Sequence, residues 1–329
     1  MMRRLPKWEG TLAILLVLAG LSASLTSPFY LTFDQISYSL QQSVAVVGLI
    51  TLGLMAVVVI GEIDISLPAV MALGNIMFAQ LSQAGFPVWL AFILVAAACA
   101  LCGCLNGLLV VILGLPSLAI TLGAMGAYRA LALLLGGQTG FAAFQPAYFW
   151  LGSGSVWDVP VSLLLLAAVA LCLGLVMHWT VFGRALFACG LSTRAALMSG
   201  IRVRVVKVAA FAIAGAMSGL ASLVYIGQFQ SARADNASDM LLFIVTAVVL
   251  GGVDIFGGRG NTFGVVLSLL LLGTLENGMG LANVPGSVQT LVVGSLLIIS
   301  VLIANRAVWS EFRARRRQNS VLSHNQGRN

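Results

Sequence analysis

The side chains able to do chemistry are few, and most stand inside long apolar runs. Asp64, Asn75, Gln80, Asn106, Arg129, Glu276 and Asn277 each interrupt such a run, and Gln41 and Gln42 stand at the mouth of another. Polar groups in such surroundings are costly, so each is a candidate for lining a solute pathway. Amides suit a neutral, hydroxyl-rich solute, because hydroxyls need paired donors and acceptors rather than charge. Asp64, Asn75, Asn106 and Asn277 are the pathway candidates on this argument. Each also has a plainer role to set against it. The three asparagines can bond across helices, Asp64 and Glu62 can sit at an interface, and Arg129 can snorkel outward.

Catalysis and metal binding are poorly served. The two histidines are His178, at the end of an apolar run, and His324 in the tail, and neither HExxH nor a Ser/His/Asp grouping occurs. Of the five cysteines, Cys99, Cys102, Cys104, Cys172 and Cys189, four fall in apolar runs. Cys99 and Cys102 have CxxC spacing but read as small packing residues. No catalytic residue, metal site or cofactor is expected. The absence of GxxxxGK[ST] argues that the glycine-rich stretches do not cradle a nucleotide.

The elements that must position these residues follow from composition. The chain has 329 residues, 60% hydrophobic and 8% charged, against about 25% charged for a soluble domain. Apolar segments of about 20 residues imply helices in lipid, since barrel strands would alternate. The expected fold is all-α, one polytopic transmembrane helical bundle over residues 1–329 with about ten spans. They fall near 11–30, 40–61, 65–82, 88–113, 116–136, 161–179, 208–228, 240–256, 261–280 and 287–305. The N-terminal Arg3, Arg4 and Lys7 before an apolar run have the shape of a signal peptide. The charge-free stretch from Gly10 to Phe33 reads instead as an uncleaved first span.

Charge sets the orientation. With the N-terminus in the cytoplasm, Arg3, Arg4, Lys7, Arg184, Arg194, Arg202, Arg204, Lys207, Arg259 and the arginines of a basic tail at 306–329 all lie inside. Arg129 and Arg233 are the exceptions. The net charge of +7 is then a topology signal, and nucleic acid is not an expected partner. Membrane lipid is, in the inner (plasma) membrane, with both termini cytoplasmic.

The longest polar interruption, 181–207, holds a short helix of its own. Ser192 or Thr193 can cap it, Ala195, Ala196, Leu197 and Met198 favour helix, and Gly200 can end it. A helix this brief needs a partner groove, or else it is an interfacial connector; physics alone leaves both open.

Here the sequence resembles the permeases of binding-protein-dependent ABC importers for ribose and related monosaccharides. Gly183-Arg184, Ala188, Gly190, Ala195-Ala196, Ser199-Gly200-Ile201 and Lys207 match that family's cytoplasmic loop. Gly61-Glu62-Ile63-Asp64-Ile65-Ser66-Leu67 is similar to its Gly-Gly-Ile-Asp-Leu-Ser segment, and Leu115 to Gly123 resembles its Pro-(Ser/Ala)-Phe-Ile-Thr-Leu-Gly block. Gly251-Gly252 through Gly257-Gly258-Arg259-Gly260 looks like its paired-glycine hallmark. Glu62 departs from the usual Gly, and Leu191-Ser192 from the usual Gly-Asn.

The resemblance implies a permease that alternates access, not an enzyme, with ATP bound by separate ATPase subunits. It further implies a second permease, the same or a paralogue, and a periplasmic or extracellular sugar-binding protein. The ATPase-coupling residues would be Gly183, Arg184, Gly190, Ala195, Ala196, Leu197, Ser199, Gly200 and Ile201. Ala195 and Ala196 would let the helix sit deep in the ATPase groove. The implied cargo is a monosaccharide, rhamnose-like or another pentose or hexose, with autoinducer 2 as the alternative and an ion-driven secondary transporter as the rival reading.

Overall fold

The computed structural model describes residues 6–26 and 30–302. The expected basic tail, together with Arg3 and Arg4, lies outside the described residues. Helix α1 is Pro6–Thr26, and α2 (Phe33–Leu40) runs through a π turn at Gln41–Ala45 into α3 (Val46–Val59). Next come α4 (Leu67–Gln83), α5 (Val88–Leu113) and α6 (Ser117–Gly136). After a one-turn α7 (Trp150–Ser153) and a hairpin of β1 (Ser155–Val156) and β2 (Val159–Pro160) follow α8 (Val161–Trp179), α9 (Val181–Leu191) and α10 (Thr193–Met198). The chain then forms α11 (Val203–Phe229), α12 (Met240–Leu250), α13 (Thr262–Leu281) and α14 (Gly286–Leu302).

Every expected span is met by a helix, and α5 and α8 keep the bounds of their apolar runs. One span is corrected: 240–256 is helical only to Leu250. At about 1.5 Å per residue, that helix is too short to cross a hydrocarbon core about 30 Å thick. Gly252, at φ +84°, ends it, and a Cβ on Gly251 would stand 2.6 Å from the Val265 Cα. Among the described residues, seven helical stretches are long and apolar enough to cross a membrane by length and composition.

Hydrogen bonds between sequence-distant residues gather helix termini at each end of the bundle. Trp8 Nε1 donates to the Leu250 carbonyl (2.9 Å), Asn261 Nδ2 to Glu9, and the Gly258 N–H to Val59 (2.8 Å), gathering the starts of α1 and α13 with the ends of α3 and α12. Arg184, Arg194, Arg202, Arg204, Lys207 and Arg259 belong to the elements of this basic end. At the far end, Gln145 N–H donates to Ser82 Oγ (3.0 Å) and Tyr148 Oη to the Phe86 carbonyl (3.1 Å).

The centre of the bundle is α3, α4 and α11. All of α3 is buried, as is most of α4, whereas α6 buries only Ser117, Thr121 and Ala132. Around them, α1, α5, α6 and α8 turn Ile14, Ile112, Leu134 and Leu171 outward. Faces this apolar suit hydrocarbon rather than water. Where lipid gives helices no hydrophobic reason to associate, close packing must hold them. The small-residue faces of α5 and α11 provide it. A Cβ on Gly103 would lie 2.1 Å from the Phe211 carbonyl oxygen, one on Gly215 would lie 2.2 Å from that of Cys99, and one on Gly107 would lie 2.9 Å from Val208 Cα. Cys99 is buried on the same stripe and is free, as the packing reading of CxxC expects.

Gly103→Val should therefore force α5 off α11 and cost about 1–3 kcal/mol, the range for overpacking. Gly123→Val on α6, which has open space, should cost far less. Thermal unfolding in detergent checks this: Gly103→Val should melt lower, and equal melting of the two would refute the packing account.

Candidate functional site

Helix α3 ends at Gly61 (φ +78°), where Gly61 N–H donates to the Val58 carbonyl (2.9 Å) and Glu62 N–H to that of Val57 (3.2 Å). Residues 62–66 then run without helix. Backbone in such a stretch must find partners inside the protein when no water is at hand. Helix α6 supplies them. Ser117 Oγ accepts from Ile63 N–H (3.0 Å), Thr121 Oγ1 accepts from Ile65 N–H (3.3 Å), and the Thr121 hydroxyl donates to the Ile63 carbonyl (3.3 Å).

Asp64 is fully buried at the centre of this stretch. Its Oδ1 accepts from Ser66 N–H (2.9 Å) and Ser66 Oγ (2.6 Å), and its Oδ2 from Asn106 Nδ2 (3.3 Å). Asn106 also donates to Ser66 Oγ (2.8 Å) and accepts from Tyr128 Oη (2.9 Å). Lys207 of α11 pairs with Glu62. A buried carboxylate is tolerable only when its oxygens are met in this way. The structure thus joins two of the four pathway candidates, Asp64 and Asn106, and spends their polar atoms on the chain itself.

The other two stand apart. Asn75, midway along α4, is fully buried with neither Oδ1 nor Nδ2 bonded, and Asn277 of α13 has an unbonded Oδ1. Three members of the Asp64 network, Ser117, Thr121 and Tyr128, were missed as functional. Ser117 and Thr121 stand four residues apart, one helical turn, which places both on one face of α6. That spacing was the available signal.

At the basic end, α9 and the 251–261 loop close on the end of α3. A Cβ on Gly190 would lie 2.0 Å from the Val59 carbonyl oxygen and 2.3 Å from Gly258 N. One on Gly257 would lie 2.6 Å from Gly61 N, and one on Gly258 2.7 Å from Leu191 N. No side chain fits between these backbones, which is the physical need for glycine at this junction. Three stretches far apart in sequence meet here, around Gly61, Gly190 and Gly257-Gly258. Gly183 makes the corner into α9, where a Cβ would lie 1.9 Å from the Met177 carbonyl oxygen. Exposed Arg184 forms no ion pair among the described residues.

Helix α10 projects from this junction. Ser192 caps it by accepting from Ala195 N–H (3.2 Å). It closes at Gly200 (φ +78°), with Gly200 N–H donating to Leu197 (3.0 Å) and Ile201 N–H to Ala196 (3.1 Å). That pair of bonds is the Schellman closure. Ala195, Ser199 and Gly200 are exposed, and Ile201 is half-buried against the core. Ala196 departs from the expectation that it faces a partner, since its side chain is 3% exposed and belongs to the chain's own buried apolar core. Leu197 and Met198, at 56% and 84%, are the apolar groups turned outward.

His178 stacks on Phe187 (5.6 Å between ring centres), and no cluster of three metal-binding side chains exists among the described residues. The site's components are a polar break inside a bundle and a small capped helix standing on a glycine junction. They belong to a membrane permease component that passes a solute and leaves ATP hydrolysis to a separate subunit. The chain belongs to the family described as branched-chain amino acid transport system / permease component, whose model matches residues 36–301. Similar curated proteins are the autoinducer 2 import system permease proteins LsrD of Enterobacter sp. (strain 638), Salmonella typhimurium and Photorhabdus laumondii. Each is 34% identical over 90% of this chain and 90–92% of its own length. No solved structure matches the chain.

The two buried asparagines should respond oppositely to one substitution. Asn106→Leu removes a donor to Asp64 and Ser66 and should cost about 1–3 kcal/mol, the penalty for an unmet buried polar group. Asn75→Leu, which loses no bond within the chain, should be neutral or stabilising. Melting of the two variants in detergent checks this, and an equal loss would contradict the network.

Proposed function

We propose that the chain is the permease of an ATP-driven importer of autoinducer 2 or a closely similar small sugar. The relatives named for autoinducer 2 import favour that cargo over rhamnose. We assign the basic end to the cytoplasm with both termini there, the side that segregated Arg and Lys favour. The importer would contain a second permease, a copy or a paralogue, two ATPase subunits, and a soluble binding protein delivering the solute. Asn75 and Asn277, with polar atoms unspent, are the better pathway residues. Asp64 and Asn106 hold the break beside it.

The observation that carries the coupling assignment is the outward pair Leu197 and Met198 on a capped helix anchored by Gly190. Two neighbouring apolar side chains left exposed at the end of an anchored helix suit an apolar surface on a partner. Gly183, Arg184, Ala195, Ser199, Gly200 and Ile201 shape and present that helix. Closure of the ATPases would then push α9, the 251–261 loop and the end of α3 together, biasing the bundle between its two states.

Leu197→Asp with Met198→Asp should leave melting unchanged, because both side chains are exposed, while uptake and binding-protein-stimulated ATP hydrolysis fall together, each about tenfold or more. Ala196→Trp should instead lower the melting temperature. The test is the reconstituted complex in vesicles supplied with autoinducer 2, rhamnose or neither. Uptake driven by an ion gradient without the ATPase would refute the proposal, as would normal stimulation in the double variant.

A further inference from the structure

The 62–66 break is tied to α5, α6 and α11, and the tie to α11 is ionic. Glu62 stands at the start of the break with its backbone held on both sides, since Glu62 N–H donates to the Val57 carbonyl (3.2 Å) and Ile63 N–H to Ser117 Oγ (3.0 Å). From that fixed point its carboxylate pairs with Lys207 Nζ. Both side chains are largely covered, Glu62 at 15% exposure and Lys207 at 18%. Among the described residues no other ion pair lies at the basic end.

Lys207 belongs to the start of α11, which begins at Val203 where α10 has ended at Met198. That start carries Arg202, Arg204 and Lys207, with no acid in its first turn. Cations at a helix N-terminus oppose the helix dipole. Glu62 supplies, from another element, the anion that α11 lacks. Asp64, on the same break, takes only neutral donors, one of them Asn106 of α5. Helices α5 and α11 then meet at the next residue of each, where a Cβ on Gly107 would lie 2.9 Å from the Val208 Cα. The break, α5 and α11 thus form a closed triangle with sides Asp64–Asn106, Gly107–Val208 and Glu62–Lys207. The third side fixes its shape. Without it, α11 could turn about its contact with α5 and leave the break behind.

We propose that Glu62 and Lys207 are a positioning pair for coupling: they make the start of α11 and the 62–66 break turn together when α10 is displaced, so that α4 follows. The proposal rests on the importer reading. It adds a second route to the glycine junction, which joins α9 and the 251–261 loop to α3, whereas α11 reaches the break through Lys207. An ion pair that is not fully buried adds little to stability, so its loss should show in coupling rather than in melting.

The test uses the complete complex, with second permease and ATPases, in nanodiscs, and compares ATP hydrolysis with and without binding protein loaded with autoinducer 2. Glu62→Gln and Lys207→Met each remove the pair with little change in volume. Each should lower the ratio of stimulated to unstimulated hydrolysis about fivefold, with melting nearly unchanged. The exchange of Glu62→Lys with Lys207→Glu should bring the ratio back to within about twofold of wild type, because the two positions act on each other. Wild-type ratios in both single variants overturn the proposal. So does a reduced ratio that the exchange fails to restore, and so does lowered melting with the ratio kept, which makes the pair structural only. A wild-type complex that the loaded binding protein fails to stimulate refutes the importer reading itself, and the link falls with it.

Discussion

A helical bundle in lipid can leave helix only where the freed backbone groups are met from within, and this chain does so at two places that touch. The first break, 60–66, is met by Ser117 and Thr121 of α6 and by the Asp64–Ser66–Asn106–Tyr128 network. The second, 251–261, is met by its own turns, with Asp254 N–H donating to Arg259 (3.0 Å) and Gly258 N–H crossing to Val59. Their contact at Gly61 and Gly257 is backbone against backbone. Most other features of the basic end serve these two breaks.

That contact also makes a mechanical argument. Side chains can hop between rotamers and absorb a displacement, whereas abutting backbones cannot. Gly190 brings α9 to the same point, so α9, the end of α3 and the 251–261 loop share one rigid knot. Helix α10 is too short to be stable alone, but its Ser192 cap, its Gly200 closure and inward Ala196 fasten it to that knot. A push on Leu197 and Met198 would therefore be passed on to α4, which begins where the first break ends.

The long helices were readable because solid apolar runs ended in turn residues, as at Pro87 before α5 and Gly114 after it. The short α12 was overextended because a glycine pair inside an apolar run does not say whether the helix bends or stops. The hairpin at 155–160 carried no signal, since Trp157 and Asp158 take positive φ without glycine. The Asp64 network was half visible. Asp64 and Asn106 stood out as polar residues among apolar ones, but Ile63 finds Ser117 54 positions away, and spacing does not report that. Ala196 was misdirected because a short helix alone does not reveal which face meets its own protein. The inward face is the one buried where α10 packs on the neighbouring α9.

The central claim is that α10 and the 251–261 loop move as one body. Spin labels at Leu197→Cys and Phe256→Cys, both exposed positions, in an otherwise cysteine-free complex would measure it directly. The distance between them should stay single and unchanged from the nucleotide-free to the ATP-bound state, while labels across the two permeases of the proposed importer move. A distance that shifts or splits on ATP binding would mean that the glycine junction yields, and would contradict the account.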